Sequence, residues 1–363
     1  MLSELEKERY SRHIRLTEFG LDNQLKLKQA KVLVIGAGGL GCPVIQYLAA
    51  AGVGTIGVMD GDEVSYSNLQ RQILFTPNQV GKLKVNCIAE WITQFNPEVK
   101  VDAIPTCIDV NNAKEVVTKY DVVIDGSDNF ATRYLVNDIC AILEKPLVFG
   151  SIFKFEGQVS VFHYRGGPTY RCLYPEPPAF GSVPACGDVG VLGVLPGIVG
   201  SYMALEAIKV ITNLGDVLVG KLLSVNTLTH QTNVIGFRKS DVKIARLLPD
   251  YDSFCGVSVH KAEITVKELE VLMKQSAIQL VDVREASELE IATIGGIHIP
   301  LNNIPQQWEK LVVTKPVYLL CHHGMRSAMA QNWLKENTPL QAVNVAGGIH
   351  AWSMEVDNKV PVY

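Results

Sequence analysis

Short apolar runs alternate with longer amphipathic segments along the first half of the chain. The runs Lys31–Ile35 and Thr55–Met59 are typical of buried strands, and the apolar segment Pro43–Ala51 between them predicts a helix. The alternation continues with two predicted helices, Val85–Phe95 and Ala113–Lys119, and two predicted strands, Val99–Ile104 and Val122–Ile124. This order predicts an α/β fold with a parallel, doubly wound, Rossmann-like sheet.

The pattern changes twice further along the chain. Gln158–Phe162 alternates like an antiparallel strand, which predicts a mixed sheet, and the Pro- and Gly-rich stretch Gly166–Gly187 predicts a long loop. Apolar periodicity fades between Gly236 and Lys261. We therefore predict a first domain over residues 1–240, a linker over 241–261 and a smaller α/β domain over 262–363. Its predicted elements are helices Val266–Lys274 and Ser327–Lys335 and strands Ile278–Asp282 and Val317–Leu320.

Composition narrows the class of protein. The 363 residues are 47% hydrophobic and 19% charged, with a net charge of -4, which favours an ordinary globular protein and argues against a nucleic-acid partner. The longest uncharged stretch, Val189–Leu205, contains Pro196 and is shorter than the roughly 20 apolar residues of a membrane span. It predicts a buried or subunit-interface helix. The charged N-terminus and eight scattered cysteines favour a cytoplasmic chain without membrane association, in which the notable cysteines are catalytic or metal-binding.

A glycine-rich turn follows the first strand. Gly36, Gly38, Gly39 and Gly41 form a G-x-G-x-x-G pattern at the start of a helix, where backbone N–H groups can approach a phosphate. Asp60, at the end of the next strand, has the position of a carboxylate that binds ribose hydroxyls. This pattern alone leaves NAD, FAD, ATP or a turn without a ligand open.

Three further segments distinguish these possibilities: Ser65–Gln72, Val80–Lys84 and Asp125–Asn129. With the glycine turn they resemble the MoeB/ThiF branch of the ubiquitin-activating-type enzymes, over roughly residues 5–240. The resemblance implies a set of ATP-binding residues in which Arg71 and Lys84 bind phosphates, Asn68 lies near them and Asp128 organises Mg²⁺. It also implies that Arg12 enters the site of a partner subunit in a homodimer.

These assignments agree with the chemistry of adenylation. A carboxylate that attacks the α-phosphorus of ATP approaches a polyanion, and the departing pyrophosphate carries much of the developing charge. Arg12, Arg71, Lys84 and a metal ion would supply the positive field that this reaction needs. Hydride transfer needs no such set.

The second domain carries four segments, which are Leu280–Glu285, Ile294–Pro300, Cys321–Ser327 and Ala346–Trp352. Together they resemble a rhodanese domain, and the resemblance makes Cys321 the sulfur carrier. Because the loop follows a strand and begins a helix, its N–H groups, the helix dipole and Arg326 should favour a thiolate or persulfide. Related phosphatases have five residues between cysteine and arginine, whereas this chain has four. His322 and His323 either tune this loop or are incidental.

The resemblance also bears on Cys186, which matches the family's mobile-loop cysteine near the adenylated terminus. We predict a catalytic role, as acyl acceptor or in an acyl-disulfide, although Cys186 could instead be dispensable. Relatives usually bind structural zinc through two Cys-x-x-Cys pairs. Here Thr169 and Asp252 replace one cysteine of each pair, which leaves Cys172 and Cys255. Four-cysteine zinc is not available there, and we expect no zinc, although a weaker site of two cysteines and an aspartate stays open.

The resemblance therefore implies an enzyme that uses ATP to adenylate the C-terminal Gly-Gly carboxylate of a ubiquitin-like sulfur-carrier protein. Sulfur from a cysteine desulfurase or thiosulfate would reach Cys321 as a persulfide and displace AMP to give a thiocarboxylate. The sequence leaves open whether the carrier serves molybdopterin, thiamin, tRNA thiolation or another pathway. Two alternatives are a non-catalytic docking scaffold and an NAD-dependent oxidoreductase with a redox-sensing rhodanese domain.

Overall fold

The computed structural model describes residues 1–178, 190–255, 263–275 and 278–363. They fall into two units. Of the described residues, the larger unit contains 1–177 and 190–255, and the smaller unit contains 178, 263–275 and 278–363.

The larger unit is built on one mixed sheet, which has eight strands within the described residues. Its strands β1 to β8 are Lys31–Ile35, Thr55–Met59, Lys100–Ile104, Val122–Asp125, Leu147–Phe153, Glu156–Phe162, Lys221–Asn226 and Thr232–Gly236. Their order across the sheet is β3-β2-β1-β4-β5-β6-β7-β8. Pairing is parallel from β3 to β5 and antiparallel from β5 to β8. The predicted doubly wound α/β fold with a mixed sheet is confirmed.

Helices cover both faces of the parallel strands. Because β1, β2 and β4 are buried on both faces, their apolar residues run without alternation. The α-helices among the described residues of this unit are Glu4–Arg9, Ser11–Ile14, Gly20–Gln29, Gly41–Ala51, Lys84–Phe95, Ala113–Thr118, Phe130–Ile142, Tyr170–Leu173, Val194–Thr212 and Tyr251–Phe254. In a sheet of this order, ligands bind where the crossover direction reverses, beside the carboxyl ends of β1 and β4.

The helix Val194–Thr212 crosses the middle of the larger unit. By length and composition alone it could span a membrane, but half of its apolar window is buried inside the unit. Leu195, Val199 and Met203 belong to the main core, which identifies a core helix. A Cβ at Gly200 would lie 2.4 Å from Pro43 Cγ, so the absence of a side chain there lets this helix approach the helix Gly41–Ala51 closely.

The smaller unit contains a five-stranded parallel sheet among the residues described. Strands β9 to β13 are Glu263–Ile264, Gln279–Asp282, Ile297–His298, Val317–Leu320 and Ala342–Val345, in the order β11-β10-β12-β13-β9. The helices are Val266–Gln275, Ala286–Ile291, Ile304–Gln307, Met325–Asn337 and Gly348–Glu355.

Two predicted irregular stretches contain structure. The predicted loop Gly166–Gly187 includes the short helix Tyr170–Leu173, and residues 179–187 lie outside the described part of the chain. In the predicted linker, the side chains of Tyr251 and Cys255 are buried in the core of the larger unit. These two side chains pack with Tyr134 and Phe149 in a buried apolar cluster of the larger unit. This unit therefore extends past residue 240.

Candidate active sites

The glycine turn lies at the carboxyl end of β1 and is held by close backbone contacts. A Cβ at Gly41 would lie 2.0 Å from the carbonyl oxygen of Gly36, and Gly36 itself has a φ of +91°. A side chain at Gly36 would also meet the Gly126 carbonyl oxygen, at 2.8 Å, just after β4. The turn is thus packed between two strand ends, and glycine is required at both 36 and 41.

The segment around Arg71 lies against this turn. Gly39 Cα faces the Arg71 side chain, because a Cβ at Gly39 would lie 3.5 Å from Arg71 Cδ and 3.2 Å from the Pro196 ring. Arg71 Nη1 donates to the Ser67 carbonyl oxygen at 3.2 Å. Asn68 closes the preceding turn by accepting from the Ser65 backbone N–H at 3.2 Å. The predicted residues Gly39, Asn68 and Arg71 are therefore brought together.

Asp60 and Lys84 are also joined to the glycine turn. Asp60 Oδ2 accepts from the Ala37 backbone N–H at 2.7 Å, which ties the glycine turn to the end of β2. The buried Lys84 ammonium donates to Asp62 at 2.7 Å and lies 3.9 Å from Asp60 Oδ1. Burial raises the pKa of Asp60, and Lys84 opposes that rise. Because carboxylate oxygens have more than one lone pair, Asp60 can still accept from a ribose hydroxyl.

Asp128 lies at the same sheet edge, three residues after β4 ends, and its side chain is exposed. The strand's last residue, Asp125, is buried, and its Oδ1 accepts from the N–H and hydroxyl of Ser127 at 2.9 and 2.6 Å. Burial raises the pKa of Asp125. Because β4 neighbours β1, the loop that carries Asp128 is adjacent to the glycine turn.

One predicted residue is not brought to this pocket, and another cannot be placed. Arg12 is exposed, and Tyr10, two residues earlier, packs against Gly52 at the end of the helix that Gly41 begins. Within one chain, Arg12 is therefore near the end of the helix Gly41–Ala51 that is remote from the glycine turn. Its role in a partner's site stays a prediction. Cys186 lies outside the described residues.

The pocket fits a nucleotide. The turn is open at Gly38. A Cβ added there would meet one heavy atom of the described residues within 4 Å, which is Gln72 Nε2 at 3.7 Å. Two buried atoms nearby, Asp125 Oδ2 and Gln72 Oε1, have no hydrogen-bond partner among the described residues. Buried polar atoms normally have partners, and a polar ligand would supply them. Carboxylates at 60 and 128 and cations at 71 and 84 suit a Mg²⁺–polyphosphate ligand.

The second candidate site is the Cys321 loop, which follows β12 and ends where the helix Met325–Asn337 begins. The Cys321 side chain is buried, and its Sγ accepts from the Gly324 backbone N–H at 3.1 Å. The Ser327 hydroxyl donates to the same sulfur at 3.2 Å. These donors and the helix N-terminus create a positive environment for a sulfur anion.

Arg326 is bound to a carboxylate. Its two terminal nitrogens donate to Glu288 at 2.6 and 2.7 Å, and the Tyr363 hydroxyl also donates to Glu288, at 3.2 Å. Burial would raise the pKa of Glu288, but the hydrogen bonds from Arg326 prevail and lower it to about 2. Arg326 therefore contributes to the Cys321 site as half of an ion pair rather than as an isolated charge.

Three histidines lie beside this loop. The rings of His322 and His323 stack at 4.0 Å, and His350 is tilted against His323 at 4.7 Å. The Tyr363 ring covers the other face of His322 at 4.4 Å. Burial, with contributions from His323 and His350, lowers the pKa of His322 to about 4. The sequence indicated His322 and His323, but His350 is 27 residues away and no local pattern links it to them.

The segments that carry zinc cysteines in relatives are joined here by other contacts. Arg171 donates to both carboxylate oxygens of Asp138 at 2.8 Å, and the Tyr251 hydroxyl donates to Asp138 at 2.7 Å. The Arg171 guanidinium also lies 4.7 Å from the centroid of Phe254. Burial raises the pKa of the Cys255 thiol to about 11. The absence of zinc from this region stays a prediction.

Sequence reasoning missed Glu288, Asp62 and Gln72 as members of these sites. Asp62 could have been found, because it stands two residues after Asp60 in a short acidic turn. Glu288 precedes Arg326 by 38 residues and resembles a helix-capping residue, since it accepts from the Glu285 N–H at 2.9 Å. The pairing with Arg326 depends on the tertiary fold.

The two units thus define a Rossmann-like nucleotide-binding domain and a separate cysteine-loop domain. The family described as "ThiF family" matches residues 10–245, and the "Rhodanese-like domain" matches residues 265–355. The chain belongs to the ThiF family and carries a C-terminal rhodanese-like domain, so the predicted resemblance is confirmed.

Relatives of nearly full length define the enzyme class. The chain is 42% identical to "Probable adenylyltransferase/sulfurtransferase MoeZ" of Mycobacterium tuberculosis, over all of this chain (100%) and 96% of that protein. It is 39% identical to "Adenylyltransferase and sulfurtransferase MOCS3" of Drosophila virilis, over 98% of this chain and 85% of that protein. The chain is an adenylyltransferase and sulfurtransferase. This finding favours the transferase interpretation over the docking scaffold and the NAD-dependent oxidoreductase.

Solved structures support the fold. The crystal structure of E. coli MccB with ATP has a TM-score of 0.57 at 22% identity, and the match covers 67% of this chain and 75% of that chain. The structure titled "SeMet PaaA" has a TM-score of 0.57 at 24% identity, over 66% and 76% of the two chains.

Proposed function

We propose that the larger unit uses ATP and Mg²⁺ to adenylate the C-terminal Gly-Gly carboxylate of a ubiquitin-like sulfur-carrier protein. Cys321 of the rhodanese-like domain then provides the sulfur that replaces AMP. The observation that carries the proposal is the packing of Arg71 against the open glycine turn, to which Asp60 is hydrogen-bonded with Lys84 beside it. Polyphosphate recognition needs this combination of backbone N–H groups and cations.

In the first step the carrier carboxylate attacks the α-phosphorus of ATP, an acyl-adenylate forms and pyrophosphate leaves. Glycine-turn N–H groups bind phosphate, Asp60 accepts from ribose, and Arg71, with Lys84, stabilises the charge that moves to pyrophosphate. Asn68 fixes the turn that carries Arg71. Mg²⁺, with Asp128 as its protein ligand, would neutralise phosphate charge. Arg12 of a second copy would complete the cationic set in a homodimer.

In the second step a persulfide on Cys321 attacks the acyl carbon and AMP leaves, which gives an acyl-disulfide. Two external thiols then supply the two electrons: the first cleaves the acyl-disulfide and releases the carrier as a thiocarboxylate, and the second restores the Cys321 thiol as the two external thiols become a disulfide. Cysteine desulfurase or thiosulfate would supply the sulfane sulfur. Gly324 N–H and the Ser327 hydroxyl stabilise the sulfur anion, and the Glu288-bound Arg326 fixes the loop. Cys186 would accept the acyl group or form the acyl-disulfide in place of Cys321. We place this chemistry in the cytoplasm.

The test separates the two steps. With ATP, Mg²⁺, thiosulfate, a thiol and a carrier ending in Gly-Gly, the wild type should give a carrier whose mass reflects replacement of one oxygen by sulfur. Cys321→Ala should abolish this product and the transfer of sulfur from thiosulfate to cyanide, but it should retain carrier-dependent exchange of pyrophosphate into ATP. Cys107→Ala, at an exposed cysteine, is the matched control. Loss of pyrophosphate exchange in Cys321→Ala would contradict independent sites.

A further inference from the structure

The three histidines beside the Cys321 loop have the spacing of a metal site. Their ligand nitrogens all lie within 4.8 Å of one another, and no other group of three or more His, Cys, Asp or Glu side chains is so arranged in the described chain. A tetrahedral cation with Zn–N distances of about 2.1 Å needs nitrogens about 3.4 Å apart, so each pair would close by at most about 1.4 Å. Because the lone pairs of stacked imidazoles do not point to one position, the exposed His323 must also rotate out of its stack on His322 to bind the same cation.

Two of the three imidazole rings each have one buried nitrogen without a partner in the described chain. His322 Nε2 and His350 Nδ1 have no hydrogen-bond partner among the residues that the structure describes. A buried nitrogen without a partner is costly. A cation that binds both would remove this cost.

The backbone holds the two half-buried histidines, His322 and His350, together. The His350 N–H donates to the His322 carbonyl oxygen at 3.1 Å, and the neighbouring Ile349 N–H donates to the Cys321 carbonyl oxygen at 2.9 Å. Gly348 permits this contact, because a Cβ there would lie 2.3 Å from the Cys321 carbonyl oxygen. The Tyr363 ring, parallel to His322, fixes the orientation of that imidazole. Two ligands are therefore preorganised, and the third is on the surface.

We propose that His322, His323 and His350 bind one divalent cation of the zinc class, and that its binding shields Cys321 from reaction. Imidazole nitrogen suits Zn²⁺, and three histidines with an open fourth position are a known zinc geometry. Since His322 directly follows Cys321, the cation would lie beside the sulfur-carrying loop. Its charge would attract a sulfur anion on Cys321 and lower the reactivity of that anion.

The binding test uses the full chain without a polyhistidine tag. Zn²⁺ should bind at one equivalent, measured by competition with a chromophoric chelator, and Co²⁺ should show the visible absorption of a low-symmetry site. His323→Ala and His350→Ala should each weaken binding by at least about 100-fold, since even outer-shell partners of a metal contribute about 10- to 100-fold. His230→Asn is the control, because His230 is exposed and has a φ of +58° that asparagine tolerates.

The shielding test avoids cyanide and thiols, which bind zinc themselves. One equivalent of Zn²⁺ should slow iodoacetamide alkylation of Cys321 by at least tenfold in peptide-resolved mass spectrometry, while alkylation of the exposed Cys107 stays unchanged. Neither readout depends on adenylation. Wild-type zinc affinity in both histidine variants would overturn the site and would direct attention to Cys172 and Cys255. Unchanged Cys321 alkylation at full occupancy would overturn the shielding.

Discussion

Arg71 in the larger unit and Arg326 in the smaller unit have different surroundings. Arg71 donates to a backbone carbonyl oxygen, and the described part of the chain offers it no carboxylate partner within ion-pair distance. Arg326 makes two hydrogen bonds to Glu288, whose Oε1 also accepts from Tyr363. Arg71 thus keeps its positive charge available for a polyanion, whereas Lys84 in the same site is paired with Asp62. The sulfur site neutralises its arginine and relies on N–H and O–H dipoles to hold a single anion.

Arg171 provides a reference for both, because it is a buried arginine outside either site. Its pair with Asp138 joins the segments that hold Tyr170 and Tyr251. Arg171→Met should destabilise the larger unit by about 3–5 kcal/mol, because it leaves the Asp138 carboxylate buried and unpaired. Hydrogen exchange of peptides from this unit measures the change, and Arg246→Met, at an exposed arginine, should have no effect. Protection equal to that of the control would show that the pair contributes nothing to stability.

The next largest effect tests the available charge at Arg71. Arg71→Ala should reduce carrier-dependent pyrophosphate exchange by about 10²- to 10³-fold, since loss of one preorganised donor costs about that much. Sulfur transfer from thiosulfate to cyanide should stay at the wild-type rate. Arg71→Lys should recover part of the exchange activity, because a lysine restores the charge without the two-pronged guanidinium. Equal activity of Ala, Lys and wild type would remove Arg71 from the site.

The third test removes the neutralising carboxylate. Glu288→Gln should destabilise the smaller unit by about 3 kcal/mol at pH 7, because the folded-state pKa of about 2 lies well below the ordinary value of 4.5. A lowered carboxyl pKa stabilises the fold above the unfolded-state pKa, and this contribution is lost as the pH falls from about 4.5 to about 2. The difference between wild type and variant should therefore shrink across that interval.

Tryptophan fluorescence can measure this difference. In a Trp91→Phe background, the remaining tryptophans, Trp308, Trp333 and Trp352, all lie in the smaller unit. Glu290→Gln, at a neighbouring exposed carboxylate, is the control. A pH-independent difference would contradict the low pKa of Glu288.

The sequence predicted the parts of the molecule whose signals are local. β1, β2 and β4 are apolar runs because both of their faces are buried, and the glycine turn was recognised because it directly joins a strand to a helix. The strand β8 was not predicted, because all its residues are exposed and apolar and polar residues do not alternate along it. Its extended conformation depends on pairing with β7. Likewise Glu288 and His350 lie far in sequence from the residues that they contact in the Cys321 site. Periodicity and motif spacing do not predict contacts between such distant segments.

The smallest expected effect concerns the dipoles around the sulfur. Ser327→Ala removes one of the two donors that the described residues offer to Cys321 Sγ and leaves the Gly324 N–H in place. One neutral hydrogen bond contributes about 0.5–1.5 kcal/mol, so sulfur transfer to cyanide should fall by about 2- to 12-fold, with pyrophosphate exchange unchanged. Ser353→Ala, which removes a buried hydroxyl that donates to a backbone carbonyl in the same unit, is the control for stability. A fall in the sulfur-transfer rate beyond about 100-fold would mean that the hydroxyl does more than orient the sulfur. An unchanged rate would mean that the backbone N–H groups and the helix terminus alone stabilise the sulfur anion.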